Sequence, residues 1–406
     1  MSPTLYLDPA RTAAAYRALA ALTAPIRVRY AVKANAHPAL LAALAAAGAD
    51  FAVTSLADVE AVAALGVGGD RAACVSPGPP ASLLRRCRAL GVRRITVDNA
   101  WELRKAAALV PDAAASVALR LPPAGRLRYP AVPLGCPLAE LDGLLAVARS
   151  LPAEVSGVAV HVGSQCERLA PWQEAVAVAG AAWRRLQAAG FQPRTLSLGG
   201  GLPVAYRRRV PGPRAIVRAI RAALASEFPS LPAEVWLEPG RYLAAGAGTL
   251  AATVLAVDEQ PGRRPRVRVD VGRYHGLPEA ALGIDYRFAA ASDLPQRRCV
   301  VTGPLGEAQD LLAPDAWLPP LAPGDRVYVS QAGAYTLAQH AYPTPAAAAI
   351  VVQGAGSPAP DSSERPWRTD SRAGPGKRGA TRVPAAASRT PAESSTRGGS
   401  AAGRRS

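Results

Sequence analysis

The stretch at residues 28–47, VRYAVKANAHPALLAALAAA, decides the fold class because a short β-prone run leads directly into an Ala/Leu-rich helical run. The same alternation continues to residue 237, with strand-like runs at 28–32, 50–54, 72–76, 94–97, 116–121, 155–162, 195–198 and 235–237. Helical stretches lie between these runs at 38–47, 55–65, 80–90, 100–109, 138–150, 171–189 and 213–226. Eight strands alternating with helices predict an α/β protein. They fit a TIM-like (β/α)8 barrel better than an open doubly wound sheet, which has the same local pattern.

The character of the sequence changes after residue 241. Strand-like runs separated by Pro, Gly and Asp turns follow at 249–257, 264–271, 298–302, 326–330 and 347–352, with little helix between them. This pattern predicts a second, β-rich domain, and the strand-like run at 4–7 would join it. We therefore expect an N-terminal segment at 1–25, a barrel at 26–245, a β-rich domain at 246–356 and a tail at 357–406.

The composition excludes several classes of protein. The chain has 406 residues, half of them apolar, which is enough for a buried core and more than one typical domain requires. Five cysteines are scattered without motif spacing, which argues against a disulfide-stapled scaffold and against a metal site. No uninterrupted apolar stretch could span a membrane, and residues 1–25 lack the pattern of a signal peptide. We expect a soluble, cytoplasmic protein that holds no metal and binds no membrane.

The net charge of +17 raises the question of nucleic-acid binding. The tail at 357–406 holds ten basic and four acidic residues among Ser, Pro, Gly and Ala, so it carries +6 of this net charge. Such a tail cannot bury enough surface to order itself, and we predict that it is disordered. Since aromatic residues do not interleave with the charges, we expect no specific nucleic-acid partner.

One lysine stands out by its rarity and its place. Only three of the 47 basic residues are lysine, and Lys33 ends the first predicted barrel strand inside an apolar run. Barrel active sites gather at the C-terminal ends of strands, and a desolvated lysine amine can form an imine with an aldehyde, which arginine cannot. The alternative is a lysine that extends to solvent or forms an ion pair.

Further polar or glycine-rich motifs end other predicted strands. His161 follows one strand and is either a structural histidine or a site residue. The run Gly199, Gly200 and Gly201 follows the next strand and forms either a phosphate-binding concavity or a simple tight turn.

The last predicted barrel strand ends in EPGR at residues 238–241. Gly240 and Arg241 suit a phosphate, and Glu238 suits a cationic ring nitrogen, although an internal Glu238–Arg241 ion pair is equally open. Two later motifs are GPLGEAQD at 303–310 and AGAYT at 332–336. By themselves they suggest only a turn with surface carboxylates and a strand that contains a glycine. Taken with Lys33, His161 and the glycine run, this inventory suits pyridoxal 5′-phosphate (PLP).

These motifs together resemble the fold-type III PLP-dependent decarboxylases, the ornithine/diaminopimelate/arginine decarboxylase family. The matching segments stand in family order: 30–35 (YAVKAN), 161–165 (HVGSQ), 199–201 (GGG), 238–241 (EPGR), 303–310 and 324–335. The resemblance covers residues 2 to 340 and implies an alanine-racemase-like barrel with a β-rich domain. It also implies a head-to-tail homodimer whose active sites are shared between subunits.

The resemblance assigns roles to individual residues. Lys33 would bind PLP covalently, His161 would stack on its ring and Glu238 would pair with the ring nitrogen. The remaining cofactor-binding residues would be Arg120, which supports the ring side, and a phosphate-binding group made of Ser164, Gly199, Gly200, Gly201, Gly240, Arg241 and Tyr335. The substrate would be bound by Asp285, Glu307 and Asp310. Lys33, His161 and Glu307 would be the catalytic residues, with Glu307 reaching across from the partner subunit.

The implied reaction is decarboxylation of a basic amino acid, ornithine or lysine, to a diamine and CO2, as in polyamine (putrescine) biosynthesis. Two positions depart from the family pattern: Gly306 stands where a cysteine usually precedes the acidic residue, and Ala52 stands where an aspartate usually follows the phenylalanine. Alternatives therefore remain. They are a decarboxylase of diaminopimelate or of a specialised-metabolite amino acid, an amino-acid racemase, and a degenerate homologue that binds PLP or a regulatory partner without turnover.

Overall fold

The structure is a computed structural model that describes residues 2–122, 124–127, 134–152, 154–336 and 349–354. It starts with strand β1 (Thr4–Leu7) and helix α1 (Pro9–Thr23) and then enters a closed barrel of eight parallel strands. The barrel strands are β2 (Arg27–Ala31), β3 (Asp50–Val53), β4 (Ala72–Cys74), β5 (Arg94–Val97), β6 (Ala114–Ala118), β7 (Glu154–Ala159), β8 (Thr195–Ser197) and β9 (Glu234–Leu237). β9 pairs with β2 and closes the ring. The predicted TIM-like barrel is confirmed.

The helices pack outside the barrel between successive strands, as predicted. They are α2 (Pro38–Ala46), α3 (Leu56–Ala63), α4 (Ala81–Ala89), α5 (Ala100–Leu109), α6 (Leu141–Arg149), α7 (Ala170–Ala188) and α8 (Pro213–Glu227), and the short α9 (Arg241–Ala244) follows β9. Local chemistry fixes their starts. Pro38 opens α2, and Ser55 and Asp58 form a reciprocal capping box at α3.

The β-rich domain is also confirmed. Its strands are β10 (Gly248–Asp258), β11 (Arg266–Val269), β12 (Arg287–Ala289), β13 (Arg297–Thr302), β14 (Leu311–Leu318), β15 (Arg326–Ser330) and β16 (Ala349–Val352). The sheet order is β12-β15-β10-β11-β13-β14, and β1 pairs antiparallel with β10 and parallel with β16. The run at 4–7 therefore joins this domain, as expected from the sequence.

Four elements were absent from the sequence-based prediction: α1, α9, β12 and β14. The strands predicted at 116–121 and 155–162 end earlier than expected, β6 at Ala118 and β7 at Ala159, where the chain turns into the loops of the barrel mouth. The domain boundaries remain a prediction, and the basic tail at 357–406 lies outside the described residues.

A single buried cluster runs through the described parts of both domains, and its largest fully buried side chains include Trp172, Trp236, Tyr30, Tyr286 and Phe51. All five cysteines are buried and free. Among the described residues no helix combines the length and apolarity needed to cross a membrane, and no group of His, Cys, Asp and Glu is arranged to hold a metal ion.

Candidate active site

Lys33 lies at the mouth of the barrel formed by the C-terminal ends of the strands. It sits in a single 3-10 turn directly after β2, and its side chain is exposed. The turn is held from the β-rich domain, because the Asn35 amide donates to the Gly333 carbonyl (2.8 Å) and the Tyr335 N–H donates to the Ala34 carbonyl (2.7 Å). An accessible amine on a fixed backbone is what covalent binding of an aldehyde requires.

His161 lies two residues after β7 and faces the same mouth. Its Nδ1 accepts a hydrogen bond from the Gly163 N–H (2.9 Å), which places the proton of the neutral ring on Nε2. A Cβ at Gly200 would lie 3.5 Å from that Nε2, so the ring and the glycine run are neighbours. The ring is accessible from the mouth, but the surrounding protein removes most of its hydration. This burial, together with the charge of Lys33, lowers the pKa of His161 to about 4.

The glycine run brings three backbone segments into close contact. Gly199 and Gly201 have φ of 65° and 113°, in the region that favours glycine. A Cβ on Gly199 would lie 2.4 Å from the Val160 carbonyl oxygen, and one on Gly201 would lie 2.6 Å from the Gly163 carbonyl oxygen. These contacts join the loop after β8 to the loop after β7.

A second glycine loop, at the end of β9, approaches the Lys33 turn. A Cβ on Gly240 would lie only 2.7 Å from the Ala34 Cβ. The Pro239 carbonyl accepts from the Ala31 N–H (3.2 Å), and the Glu238 N–H donates to the Gly199 carbonyl (2.9 Å). The motifs after β2, β7, β8 and β9 therefore converge at one mouth.

The side chain of Glu238 is anchored from below. Its Oε1 accepts from the Ser197 hydroxyl (2.8 Å) and lies 3.8 Å from Nη1 of Arg29, which is buried inside the barrel. The ion pair between Glu238 and Arg241, left open by the sequence, does not form. Each of the two residues has a different partner.

Arg241 is held instead by Glu279. Both nitrogens of its fork bind the Glu279 carboxylate at 2.5 Å, and both side chains are buried. Nη1 also donates to the Tyr206 hydroxyl (3.2 Å) and Nη2 to the Ser164 hydroxyl (3.1 Å), while the guanidinium lies 4.9 Å from the Tyr335 ring centre. Within the described part of the chain, Nε is buried without a hydrogen-bond partner.

That unpaired Nε bears directly on ligand binding. A buried N–H without an acceptor is costly. The same guanidinium donates through Nη2 to the Ser164 hydroxyl, and Arg241 directly follows Gly240 in the chain. An anion such as a phosphate would satisfy it. The exposed Lys33 amine and the Glu238 carboxylate complete a set of groups that fits the aldehyde and ring nitrogen of PLP.

Comparison with known proteins decides the family. Residues 10–245 match the family model described as "Pyridoxal-dependent decarboxylase, pyridoxal binding domain". The chain belongs to this family. It is a PLP-dependent amino-acid decarboxylase of fold type III, and pyridoxal phosphate is its cofactor.

The relatives of this decarboxylase include proteins named decarboxylases and proteins named antizyme inhibitors. It is 31% identical over 318 residues to a lysine/ornithine decarboxylase of Selenomonas ruminantium, covering 76% of this chain and 78% of that protein. It is 27% identical over 332 residues to antizyme inhibitor 2 of Homo sapiens, covering 77% of this chain and 72% of that protein. The structure of a lysine/ornithine decarboxylase from Vibrio vulnificus complexed with cadaverine aligns with a TM-score of 0.77 and 27% identity, over 87% of this chain and 94% of that one.

Arg120, the predicted support for the ring side, follows β6 of the decarboxylase, so the topology places it at the same mouth. Its side chain is exposed, and its Nε donates to the Gly135 carbonyl (3.1 Å).

The predicted substrate-binding residues are more dispersed. Asp285 pairs with Arg207 at 3.3 Å and lines a cavity of about 590 Å³ together with Arg126 and Arg208. Glu307 is exposed on the loop between β13 and β14, where its predicted role depends on a partner subunit.

Asp310 has a different place from the one expected. It is fully buried, and its two oxygens accept from the backbone N–H groups of Arg273 (2.9 Å) and Leu305 (3.3 Å). Its carboxylate therefore shapes the loop that carries Glu307 and is not presented to a ligand within a single chain.

Three residues at the mouth were missed by the sequence analysis: Arg29, Ser197 and Glu279. Arg29 carried a signal, since a charge flanked by the apolar Val28 and Tyr30 in a barrel strand needs a partner inside the fold. Glu279 carried none, because it lies in a short turn of the β-rich domain whose approach to Arg241 depends on the tertiary fold.

Proposed function

We propose that this decarboxylase acts on a basic amino acid, ornithine or lysine, and releases CO2 and the corresponding diamine. The observation that carries the proposal is the convergence of an exposed lysine, a carboxylate and a buried arginine at one barrel mouth. The names of the relatives support the substrate class. Asp285 supports it by its charge, which suits a distal ammonium group.

The proposed roles follow from the contacts of each residue. When bound, PLP supplies a ring that accepts the electron pair left on the α-carbon as CO2 departs. Lys33, whose amine is exposed at the mouth, would hold the cofactor by its aldehyde. Glu238 holds a proton on the ring nitrogen, because an ionised carboxylate favours the cationic form of its partner. Arg241 and Ser164 bind the phosphate, and the neutral His161 packs on the ring without adding charge beside Lys33.

Further parts of the proposal concern assembly. The protein is a homodimer with shared sites, in which Glu307 of one subunit completes the site of the other. The cytoplasmic location expected from the sequence remains a prediction.

The attachment of the cofactor is tested by borohydride reduction. Reduction should fix the mass of the cofactor to the peptide that contains Lys33, with loss of the imine absorbance. Lys33→Arg should abolish the label. Lys105→Arg is the matched control, since Lys105 lies on α5 in an ion pair with Glu102 and should leave labelling unchanged. Label on another peptide would refute the assignment of Lys33.

The reaction is tested by incubating the PLP-loaded protein in parallel with ornithine, lysine, diaminopimelate and arginine, measuring CO2 and identifying products by mass. Release of CO2 from ornithine or lysine is expected. Racemisation without gas would favour the racemase alternative. PLP binding with no reaction on any substrate would favour a homologue without turnover, as the similarity to antizyme inhibitor 2 allows.

One observation favours a second candidate, a substrate that carries a distal carboxylate, as diaminopimelate does. The carboxylate of Asp285 is already paired with Arg207, and the three arginines of this cavity suit an anionic group.

Two substitutions separate the candidates. If a distal ammonium binds Asp285, Asp285→Asn raises the KM for ornithine or lysine about five- to tenfold, and Arg207→Met lowers it by releasing the carboxylate. If a distal carboxylate binds instead, Arg207→Met raises the KM for diaminopimelate. The direction of the Arg207→Met effect decides between them.

A further inference from the structure

Arg29 is a buried arginine inside the barrel. It lies on β2 with only 3% of its surface exposed, and its guanidinium carbon is 3.4 Å from the centre of the Trp236 ring. Its Nη1 is 3.8 Å from Oε1 of Glu238. A charged group in this position needs compensation, and Glu238 supplies it at the mouth end.

The charge of Arg29 persists in this environment. Burial lowers the pKa of Arg29 to about 10, while Glu238 acts in the opposite direction. Glu234 and Asp50 also favour the charged form, and Arg94 opposes it. At neutral pH a full positive charge therefore lies directly below Glu238.

The two carboxylate oxygens of Glu238 differ in their contacts. Oε1 receives the Ser197 hydroxyl and faces Arg29. Oε2 is left as the oxygen available to a ligand. A carboxylate fixed through one oxygen presents the other in a defined direction.

We propose that Arg29 is a positioning residue for the cofactor: its guanidinium holds Oε1 of Glu238, so that Oε2 meets the ring nitrogen of bound PLP. The inference rests on the proposed role of Glu238. Arg29 need not contact any cofactor atom. It contributes through Glu238 to the preference of the site for a protonated pyridine ring.

The same strand offers a matched control. Arg27 lies 4.1 Å from the same Trp236 ring, but it is half exposed and pairs with Asp50 at 2.9 Å. Trp236 is also held through its Nε1, which donates to Glu234 (3.2 Å). Loss of Arg27 therefore removes one stacking contact on Trp236 without altering the partners of Glu238.

The experiment compares two ligands that differ only at the ring nitrogen, PLP and its 1-deaza analogue, in which C–H replaces that nitrogen. Dissociation constants are measured by equilibrium dialysis and absorbance for wild type, Arg29→Met, Arg29→Lys and Arg27→Met. We expect Arg29→Met to weaken PLP binding at least tenfold and deaza-PLP binding less than threefold. Arg29→Lys should recover part of the loss, and Arg27→Met should change neither constant beyond twofold.

A double-variant cycle covers the case in which Arg29→Met leaves Glu238 uncompensated and fails to fold. Glu238→Gln leaves Arg29 with Asp50 and Glu234 as compensating charges, and the Glu238→Gln/Arg29→Met double variant removes both members of the pair. Both variants should therefore fold, and they should bind PLP equally. An additional loss in the double variant would overturn the inference. Equal weakening of both ligands by Arg29→Met, or weakening of neither, would also overturn it. Failure of wild type to prefer PLP over its deaza analogue would instead refute the proposed role of Glu238.

Discussion

At the scale of single residues, the barrel mouth is organised by two buried arginines, each with its own carboxylate. Arg29 lies below Glu238, and Arg241 is gripped by Glu279. A buried charge without a partner is strongly destabilising, so each pair fixes the position of a group that the cofactor requires. The charges that face the cofactor are thereby set before it binds.

The pKa of His161 gives a prediction about pH. Its folded-state pKa is about 4 and its ordinary value is 6.5, so between these pH values the unfolded chain binds a proton that the folded protein does not. The stability contributed by neutral His161 is present above pH 6.5 and is lost as the pH falls toward 4. We expect the Tm of cofactor-free protein to fall between pH 7 and pH 5, and to fall less steeply in His161→Asn. Parallel Tm profiles for the two proteins would contradict the lowered pKa.

The Arg241–Glu279 pair gives a second prediction. Glu279→Ala leaves the guanidinium buried with two fewer acceptors, and we expect the free energy of unfolding to fall by about 3–5 kcal/mol, with weaker PLP binding. Glu60→Gln is the control, because Glu60 makes a two-pronged pair with Arg86 on the exposed surface, where solvent screens the charges and the loss should be much smaller. Urea denaturation measures both. Similar losses would show that burial does not set the strength of the Arg241 pair.

At the scale of elements, the capping box of α3 fixes how the chain leaves β3. Asp58 accepts from the Thr54 N–H (2.8 Å), the Thr54 hydroxyl (2.9 Å) and the Ser55 N–H (3.2 Å), and it is buried. We expect Asp58→Ala to lower the free energy of unfolding by about 2–3 kcal/mol, since three donors lose their acceptor. Asn99→Ala at α5, where one backbone N–H of the helix loses its acceptor, should cost about 1 kcal/mol. Chemical denaturation that ranks the two variants in the reverse order would contradict this account.

The barrel could be predicted from sequence because its strands and helices are local and strongly patterned. β14 was missed because Pro314 lies within it, which is tolerated here because β14 is at the edge of the sheet. β12 has only three residues and depends on its pairing with β15. No local sequence pattern predicts that pairing. α1 was missed although Asp8 and Pro9 mark its start, because only the strand-like run before it was weighed.

The site divides in the same way. Lys33, His161, Glu238 and Arg241 follow the C-terminal ends of the barrel strands β2, β7 and β9, so their convergence follows from the barrel topology. The partners of these residues come from distant parts of the chain or from the barrel interior, and the sequence alone does not pair them. The Glu238–Arg241 alternative, suggested by closeness in sequence, is not what the tertiary fold selects.

At the scale of the whole molecule, the composition of the tail gives a prediction about truncation. Removal of the residues after Gly356 should leave the Tm and the turnover unchanged, since the segment at 357–406 holds few large apolar side chains. Thermal denaturation and CO2 release compare the truncated and full-length chains. A lower Tm in the truncated protein would show that the tail stabilises the fold.

The proposed sharing of active sites between two subunits gives a prediction about mixtures. Lys33→Ala and Glu307→Ala should each be inactive alone, but mixed dimers that form after subunit exchange contain one intact site. Random pairing should restore up to about one quarter of wild-type activity. Mass measurement of the dimers is the accompanying control. Mixed dimers without recovered activity would place both residues in the same subunit's site.

Strand β1 has a consequence for how the protein is made. Thr4–Leu7 leaves the ribosome early in synthesis, yet its partners β10 and β16 begin only at Gly248 and Ala349. At ordinary rates of translation this strand, with the wholly apolar side chains of Leu5 and Leu7, waits on the order of tens of seconds for its first neighbour. The nascent barrel must therefore form while this apolar strand is unpaired and exposed. The yield of the protein in cells should depend on chaperones that bind the strand and prevent aggregation.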